Sequence, residues 1–81
     1  MGMELKHDKR ADAVYITLDR APYAYGVDLD HRRRIDFGED GHPIGVELLS
    51  VSKGVMLDDL PWPDDIAQLL QGAGIEILMP R

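Results

Sequence analysis

Apolar and polar residues alternate through the first two thirds of the chain, in short runs that turn-forming residues separate. Alternation with a period of two is typical of a strand that buries one face. This pattern predicts strands over residues 3–7, 13–19, 23–29, 32–37 and 43–51. The last of these becomes apolar on both faces at Leu48 and Leu49, which predicts a central strand or one that a helix or a partner covers.

The clearest turn signal is the Asp40-Gly41 pair, which lies between two alternating runs. Asp-Gly supplies the positive φ angles that a two-residue hairpin turn requires. With this pair at the centre of the turn, Arg34 faces Glu47 on the polar face, and we predict a surface ion pair between them. On the other face the same register pairs Phe37 with Ile44 and Ile35 with Val46.

The C-terminal third predicts a connection over 52–62 and one helix over 63–72. Pro63 suits the first turn of a helix, where its missing N–H group leaves no hydrogen bond unmade. Three apolar residues follow at the i, i+3, i+4 spacing that places them on one helix face. They are Ile66, Leu69 and Leu70.

These elements predict an α+β fold: an antiparallel β-meander of four to five strands, with one short C-terminal helix packed on its apolar face. We expect a single small domain over residues 1–81, with the sheet over 3–51. Residues 75–78 are compatible with a final strand, and whether they pair within the subunit is left open. Residues 1–2 are expected to precede a native start at Met3.

The composition narrows the function classes. The chain has 81 residues, a formal net charge of -6 and no cysteine, which excludes a disulfide scaffold and a thiolate metal site. No apolar run approaches the roughly 20 residues that span a bilayer, and no signal-peptide pattern opens the chain. We therefore expect a cytoplasmic protein with no membrane partner.

Charge and size favour a protein partner. Residues 1–34 carry a net charge of +1 and residues 35–81 a net charge of -7, so we expect no nucleic-acid ligand and favour a basic protein. Burial of apolar surface contributes on the order of 115 kcal/mol to folding, and ordering the chain costs about 120 kcal/mol. This balance near zero predicts a homodimer that buries more surface. We expect its interface among Tyr15, Tyr25, Leu49, Val51 and Trp62.

Two stretches carry a family resemblance. The first, HDKRADAVYITL over residues 7–18, has Val14 where a Leu is usual and His7 where a Tyr is usual; the residues that match are Asp8, Asp12, Tyr15, Ile16 and Leu18. The second, IDFGEDGHPIGVELLSVS over residues 35–52, matches at Asp36, Asp40, Gly41, Gly45, Glu47 and Leu49. Together they resemble the domain of unknown function 2283 family, short prokaryotic proteins, over roughly residues 3–52.

The resemblance implies a fold and no established activity. Some members of the family are encoded beside small toxin-like proteins, so the resemblance implies an antitoxin-like pairing with a small protein partner.

Two groups of side chains are candidate metal ligands, each with a simpler explanation. Asp8 and Asp12 flank a turn, where Asp commonly bonds to backbone N–H groups instead of a cation. Asp28, Asp30 and His31 also lie together, without the glycine and distal glutamate of a calcium loop. We favour the structural explanation for both groups and predict no metal and no other cofactor.

A non-enzymatic homodimeric interaction module is our leading hypothesis. The alternative is a small-ligand or divalent-metal-binding domain, or a weak hydrolase that uses Asp36, Glu47 and His42. A small open sheet offers no deep pocket in which to shift their pKa values, so we predict no catalytic residue. We expect Arg32–Arg34 to protect a sheet edge or to form ion pairs in the dimer.

Overall fold

A computed structural model describes residues 2–79 and confirms the α+β fold class. One antiparallel sheet has the strand order β1-β2-β5-β4-β3, so β5 is central, as its two-sided apolar pattern predicts. The strands are β1 (Glu4–Asp8), β2 (Ala13–Thr17), β3 (Tyr25–Asp30), β4 (Arg33–Phe37) and β5 (Pro43–Leu49). Met1 lies outside the described residues, and a native start at Met3 stays a prediction.

The strand order is not fully sequential. β2 pairs with β5 and not with β3, so residues 18–24 cross the end of the sheet instead of closing a hairpin. The distance across three strand spacings is about 14 Å, and seven extended residues reach about 23 Å. The crossing is anchored where the N–H groups of Leu18 and Asp19 both donate to the Ile44 carbonyl, at 2.9 and 3.2 Å. Pro22 marks a break in the strand, but its sequence context does not distinguish a tight turn from a crossing.

The hairpin of β4 and β5 keeps most of the predicted register. As predicted, Ile35 lies opposite Val46 and Arg34 lies opposite Glu47 in the ladder. Phe37 faces Pro43 and not Ile44, because a bulge between Asp36 and Phe37 shifts the register by one residue near the turn.

The turn of this hairpin is centred one residue earlier than predicted. Gly41 donates its N–H to the Gly38 carbonyl at 3.0 Å, so Glu39 and Asp40 are the central residues. Gly41 takes a left-handed φ of 80°, which is the usual position for glycine in a longer hairpin loop with a bulge. The Asp40 carboxylate accepts a hydrogen bond from the His42 N–H at 3.0 Å and stabilises the loop.

The helix α1 occupies Pro63–Gly72, the stretch that the apolar spacing predicts. Its end is a Schellman motif, in which Gly74 takes a φ of 76°. The Gly74 N–H donates to the Gln71 carbonyl at 3.0 Å, and the Ile75 N–H donates to the Leu70 carbonyl at 2.9 Å. The buried Ile75 side chain then directs the chain back under the helix.

The connection before the helix contains structure that its sequence did not predict. A short 3-10 helix spans Val51–Lys53, and β6 (Val55–Met56) pairs in parallel with β7 (Ile77–Leu78). This two-stranded pair answers the open question about residues 75–78, because Ile77 and Leu78 pair within the subunit.

One hydrophobic core lies between α1 and one face of the sheet, which we call the inner face. The opposite, outer face carries the alternate residues of each strand. The residues that are at most 2% exposed come from both layers and from the 3-10 helix. They are Val14, Ile16, Val46, Leu48, Val51, Ile66 and Leu70. Burial of each such side chain contributes about 1.5–3 kcal/mol.

Candidate functional site

The outer face carries a row of polar side chains, one from each strand and each directly opposite the next. The row is Lys6, Tyr15, Glu47, Arg34 and Asp28. In the neighbouring row Asp36 lies between two glycines, Gly45 on β5 and Gly26 on β3. The sheet therefore holds a concentrated polar surface on the side away from the core.

Arg34 uses all three of its guanidinium nitrogens in this surface. Its Nη2 donates to the Tyr23 hydroxyl at 3.0 Å, its Nη1 pairs with Asp28 at 3.2 Å, and its Nε pairs with Asp36 at 3.3 Å. The hydrogen bonds to Tyr23, Asp28 and Asp36, in that order of importance, raise the pKa of Arg34 further above its ordinary value. A Cβ on Gly26 would overlap the guanidinium, so this glycine allows Arg34 to lie across β3.

The predicted ion pair between Arg34 and Glu47 is therefore corrected. The two residues face each other as predicted, but within residues 2–79 the guanidinium pairs with Asp28 and Asp36 instead. The open space above Gly26 leaves room for the side chain to extend toward β3 and away from β5.

Tyr15 lies flat across Gly45 and donates its hydroxyl to Asp36 Oδ2 at 2.9 Å. A Cβ on Gly45 would occupy the position of the hydroxyl. Burial, followed by the hydrogen bond to Asp36 and the nearby negative charges, raises the pKa of Tyr15 from 10.0 to about 12. Asp36 accepts from Arg34 at its other oxygen, so both carboxylate oxygens are engaged.

This geometry holds its polar groups in contacts within the chain. A tyrosine with a raised pKa is a poor nucleophile or base near neutral pH. Asp36, one of the three residues in the hydrolase alternative, is held by Tyr15 and Arg34. The network orders a polar surface, and the hydrogen bonds of Tyr15, Arg34 and Asp36 are made within the chain.

Asp8 and Asp12 have the structural roles that turns assign to aspartate. Asp8 accepts a hydrogen bond from the Ala11 N–H at 3.1 Å. Asp12 takes a left-handed φ of 55° and reaches a distant segment, where it accepts from the Ser52 N–H at 2.9 Å and from the Ser52 hydroxyl at 2.6 Å. Asp12 therefore ties the first hairpin to the 3-10 helix.

Asp28, Asp30 and His31 are engaged separately and do not converge. Asp28 pairs with Arg34, and Asp30 accepts from the Arg32 N–H at 2.9 Å and from Arg33 Nε at 3.0 Å. The backbone hydrogen bond from Arg32, and then the Arg33 side chain, lower the pKa of Asp30. In the described part of the chain, no three acidic or histidine side chains are arranged to hold a metal ion.

The three consecutive arginines do not protect an edge, because β4 lies between β5 and β3. Arg33 points to the inner side, where its Nη1 donates to the carbonyls of Met56 and Asp58 at 3.0 and 2.6 Å. This clamp fixes the segment that follows β6.

The candidate interface residues separate into different regions. Val51 is 2% exposed and belongs to the core, because the 3-10 helix turns it inward, so its assignment to an interface is corrected. Tyr15 and Leu49 lie on the outer face, and Trp62 lies at the start of α1. Tyr25 is on the edge strand β3, where it stacks on Phe37 with ring centroids 5.1 Å apart.

Two features escaped the sequence interpretation. Gly26 and Gly45 clear the outer face for Arg34 and Tyr15. Each glycine lies diagonally across from the long side chain, two positions from the residue that this side chain's own residue faces, and a glycine inside a strand often marks such a close approach. The other is a pair between His42 Nε2 and Asp19 Oδ2 at 3.3 Å, beside Trp62. These residues are far apart in sequence, and no local pattern joins them.

Fold and site together define a small α+β protein with an antiparallel sheet, a polar outer face and an open edge strand. The family model described as Protein of unknown function (DUF2283) matches residues 5–52, which span β1 to β5. The chain belongs to this family, as its two signatures predict. Comparisons with curated proteins and with solved structures find no match. Across residues 2–79, no helix is long and apolar enough to cross a membrane.

Proposed function

We propose that the protein is a non-enzymatic interaction module of the cytoplasm that acts as a homodimer, joined through the open edge of β3. The observation that carries this proposal is the exposure of apolar residues on that edge strand. Tyr25 is 46% exposed and Val27 is 44% exposed, although both lie on the inner side, beside Phe37 and Ile35. An exposed edge strand with apolar side chains is a template for pairing with another strand.

The sequence of β3 fits antiparallel pairing with a second copy of itself. With Val27 opposite Val27 of the second copy, Tyr25 faces Leu29, and all of these apolar side chains share the inner side. The register irregularity between Asp28 and Asp30 limits the shared ladder to about five residues. A bulge of this kind favours one short, defined pairing over open-ended association.

The charges on the outer side complement the same register. Asp28 of the second copy would lie opposite Gly26, and the guanidinium of Arg34 already lies above this glycine. Each Arg34 would then lie between two Asp28 carboxylates, one from each copy. A register that places Asp28 opposite Asp28 lacks this contact. It also brings two like charges directly opposite each other, which is destabilising.

The oligomeric state in solution tests the proposal. Light scattering after size-exclusion chromatography should give a dimer for the wild type and a monomer for Val27→Lys, because the lysines would meet at the twofold axis. Leu49→Lys is the matched control, since Leu49 is also exposed, at 40%, but lies on the outer face of the central strand. A monomeric wild type would refute the dimer, and a dimer lost in Leu49→Lys alone would move the interface to the outer face.

A single cysteine tests the register. The chain has no cysteine, so Val27→Cys introduces one thiol per copy, and mild oxidation should join two copies through a disulfide across the twofold axis. Leu49→Cys should stay unlinked under the same oxidant. Equal crosslinking of both variants would indicate random collision and would contradict the register.

A further inference from the structure

A cleft of about 610 Å³ lies between the start of α1, the crossing segment after β2 and the turn of the β4–β5 hairpin. We call it the Trp62 cleft. Leu18 and Leu69 supply apolar walls, Trp62 supplies an aromatic ring, and Asp19 and Asp65 supply carboxylates. It shares no lining residue with the β3 edge, so it is independent of the dimer.

Trp62 is the chain's single tryptophan, and it remains 44% exposed at the cleft. It is the N-cap residue of α1, without a side-chain capping bond, and its φ of 45° is left-handed. A left-handed conformation costs a bulky residue about 1–2 kcal/mol, and Ser, Asp or Asn would cap the helix better. Helix capping and backbone geometry do not explain a tryptophan here, whereas an aromatic wall for a ligand does.

The aromatic wall continues into a polar group. The rings of His42 and Trp62 meet in a T-shaped arrangement with centroids 5.9 Å apart, and His42 Nε2 lies 3.3 Å from Asp19 Oδ2. The formal charges among the described residues that line the cleft are those of Asp19 and Asp65, both negative. An indole ring attracts organic cations, and the neighbouring carboxylates add an opposite charge.

We propose that the Trp62 cleft binds an organic cation, an ammonium or guanidinium group carried on an apolar body. The cation would lie against Trp62 and between Asp19 and Asp65, and the apolar body would contact Leu18 and Leu69. This ligand chemistry has two sources, a free amine and a basic side chain of another protein.

Intrinsic fluorescence tests the proposal in the 81-residue chain, because its tryptophan emission comes from Trp62. Phenethylammonium should change the emission in a saturable way. Phenethyl alcohol and 3-phenylpropionate carry a similar apolar body without the positive charge, and they should bind at least tenfold more weakly. Equal binding of the alcohol would overturn the proposal, since the carboxylates would then have no role.

Matched variants locate the site. Asp65→Asn and Asp19→Asn should each weaken phenethylammonium binding about five- to tenfold. Asp64→Asn removes the same charge from the same turn of α1, outside the cleft lining, and should leave binding unchanged. If Asp64→Asn weakens binding as much as Asp65→Asn, the attraction comes from the general negative charge and the site is refuted.

A last arm distinguishes the two sources of the cation. Nα-acetyl-lysine amide and a short lysine peptide present the ammonium group of a protein side chain. Tighter binding of the peptide than of phenethylammonium, with the same dependence on Asp65, would identify a basic protein segment as the ligand. Tighter binding of phenethylammonium would identify a free amine, and no saturable change with any of these probes would overturn the proposal.

Discussion

Asp12 has two roles that both depend on its being an aspartate. Its backbone adopts a left-handed conformation, and its carboxylate binds a distant segment. Its φ of 55° is one that Asp and Asn adopt more readily than Ala. Its carboxylate accepts two hydrogen bonds from Ser52, and its carbonyl accepts the Val51 N–H at 3.1 Å. The first turn and the 3-10 helix are held together at this point.

Asp12→Ala should therefore lower the free energy of unfolding by about 1–3 kcal/mol, through backbone strain and lost hydrogen bonds. Asp12→Gly should lose less, because glycine adopts the same φ without strain. Urea unfolding measures both. Asp8→Ala is the control: Asp8 holds a single local N–H, so its loss should cost less than that of Asp12. Equal costs at the two positions would show that the link to Ser52 contributes nothing.

Tyr15 gives a pH-dependent prediction. Its pKa is about 12 in the folded protein and 10.0 ordinarily, so the folded state binds the proton more tightly. The stabilisation is complete below pH 10 and is lost as the pH rises from 10 to 12. The ultraviolet titration of the wild type, minus that of Tyr15→Phe, should show ionisation at about pH 12. A difference curve centred near pH 10 would contradict the partly buried hydrogen bond to Asp36.

At this scale the sequence identified residue types better than partners. Arg34, Asp28 and Asp36 could be recognised as a polar group on neighbouring strands. Their partners depend on the space above Gly26 and Gly45, and a strand glycine indicates such a space without showing which side chain fills it. The same limit explains why Arg34 was paired with the residue it faces, and why Asp12 was assigned to a turn without its distant contact.

Among the elements, the parallel pair of β6 and β7 depends on one glycine. Gly54 has a φ of 91° and a ψ of 160°, a region that is essentially restricted to glycine. A Cβ there would lie 2.6 Å from the Leu78 side chain. The approach of β7 to the 3-10 helix therefore requires both the free backbone and the missing side chain.

Gly54→Ala should cost about 2–4 kcal/mol, the sum of backbone strain and the overlap with Leu78. Gly74→Ala is the matched control: its φ of 76° is also positive, but nothing lies within 4 Å of the added Cβ, so it should cost about 1 kcal/mol. Thermal unfolding of the two variants compares them. The double variant Gly54→Ala, Leu78→Ala should cost less than the two single changes together, and strict additivity would refute the overlap.

Element prediction succeeded where the signal was local. The helix follows from Pro63 and an apolar stripe, and a central position for β5 is one of the two alternatives that its apolar pair Leu48 and Leu49 indicates. The crossing from β2 to β3 and the two-residue pair of β6 and β7 did not follow, because both depend on which strand completes the sheet or core at a distance. The bulge that moves Phe37 to Pro43 is of the same kind, since loop geometry and not side-chain pattern sets it.

The segment after the sheet covers only part of the sheet's inner face. The family match ends at residue 52, and the segment beyond it supplies Ile66 and Leu70, which close the core over the inner face. This cover does not bury Tyr25 and Val27, the inner residues of the edge strand. A chain of this size gains from burying that remaining apolar surface, and a second copy offers a matching edge.

The dimer should therefore make thermal stability depend on protein concentration. If dissociation and unfolding are coupled, two chains of 81 residues have an unfolding entropy of about 0.34 kcal/mol/K. A tenfold rise in concentration adds about 1.4 kcal/mol, so Tm should rise by about 4 °C. Val27→Lys should show no concentration dependence, whereas Leu49→Lys should keep it. A wild-type Tm that is constant over a hundredfold range would mean that the β3 edge remains unpaired in solution.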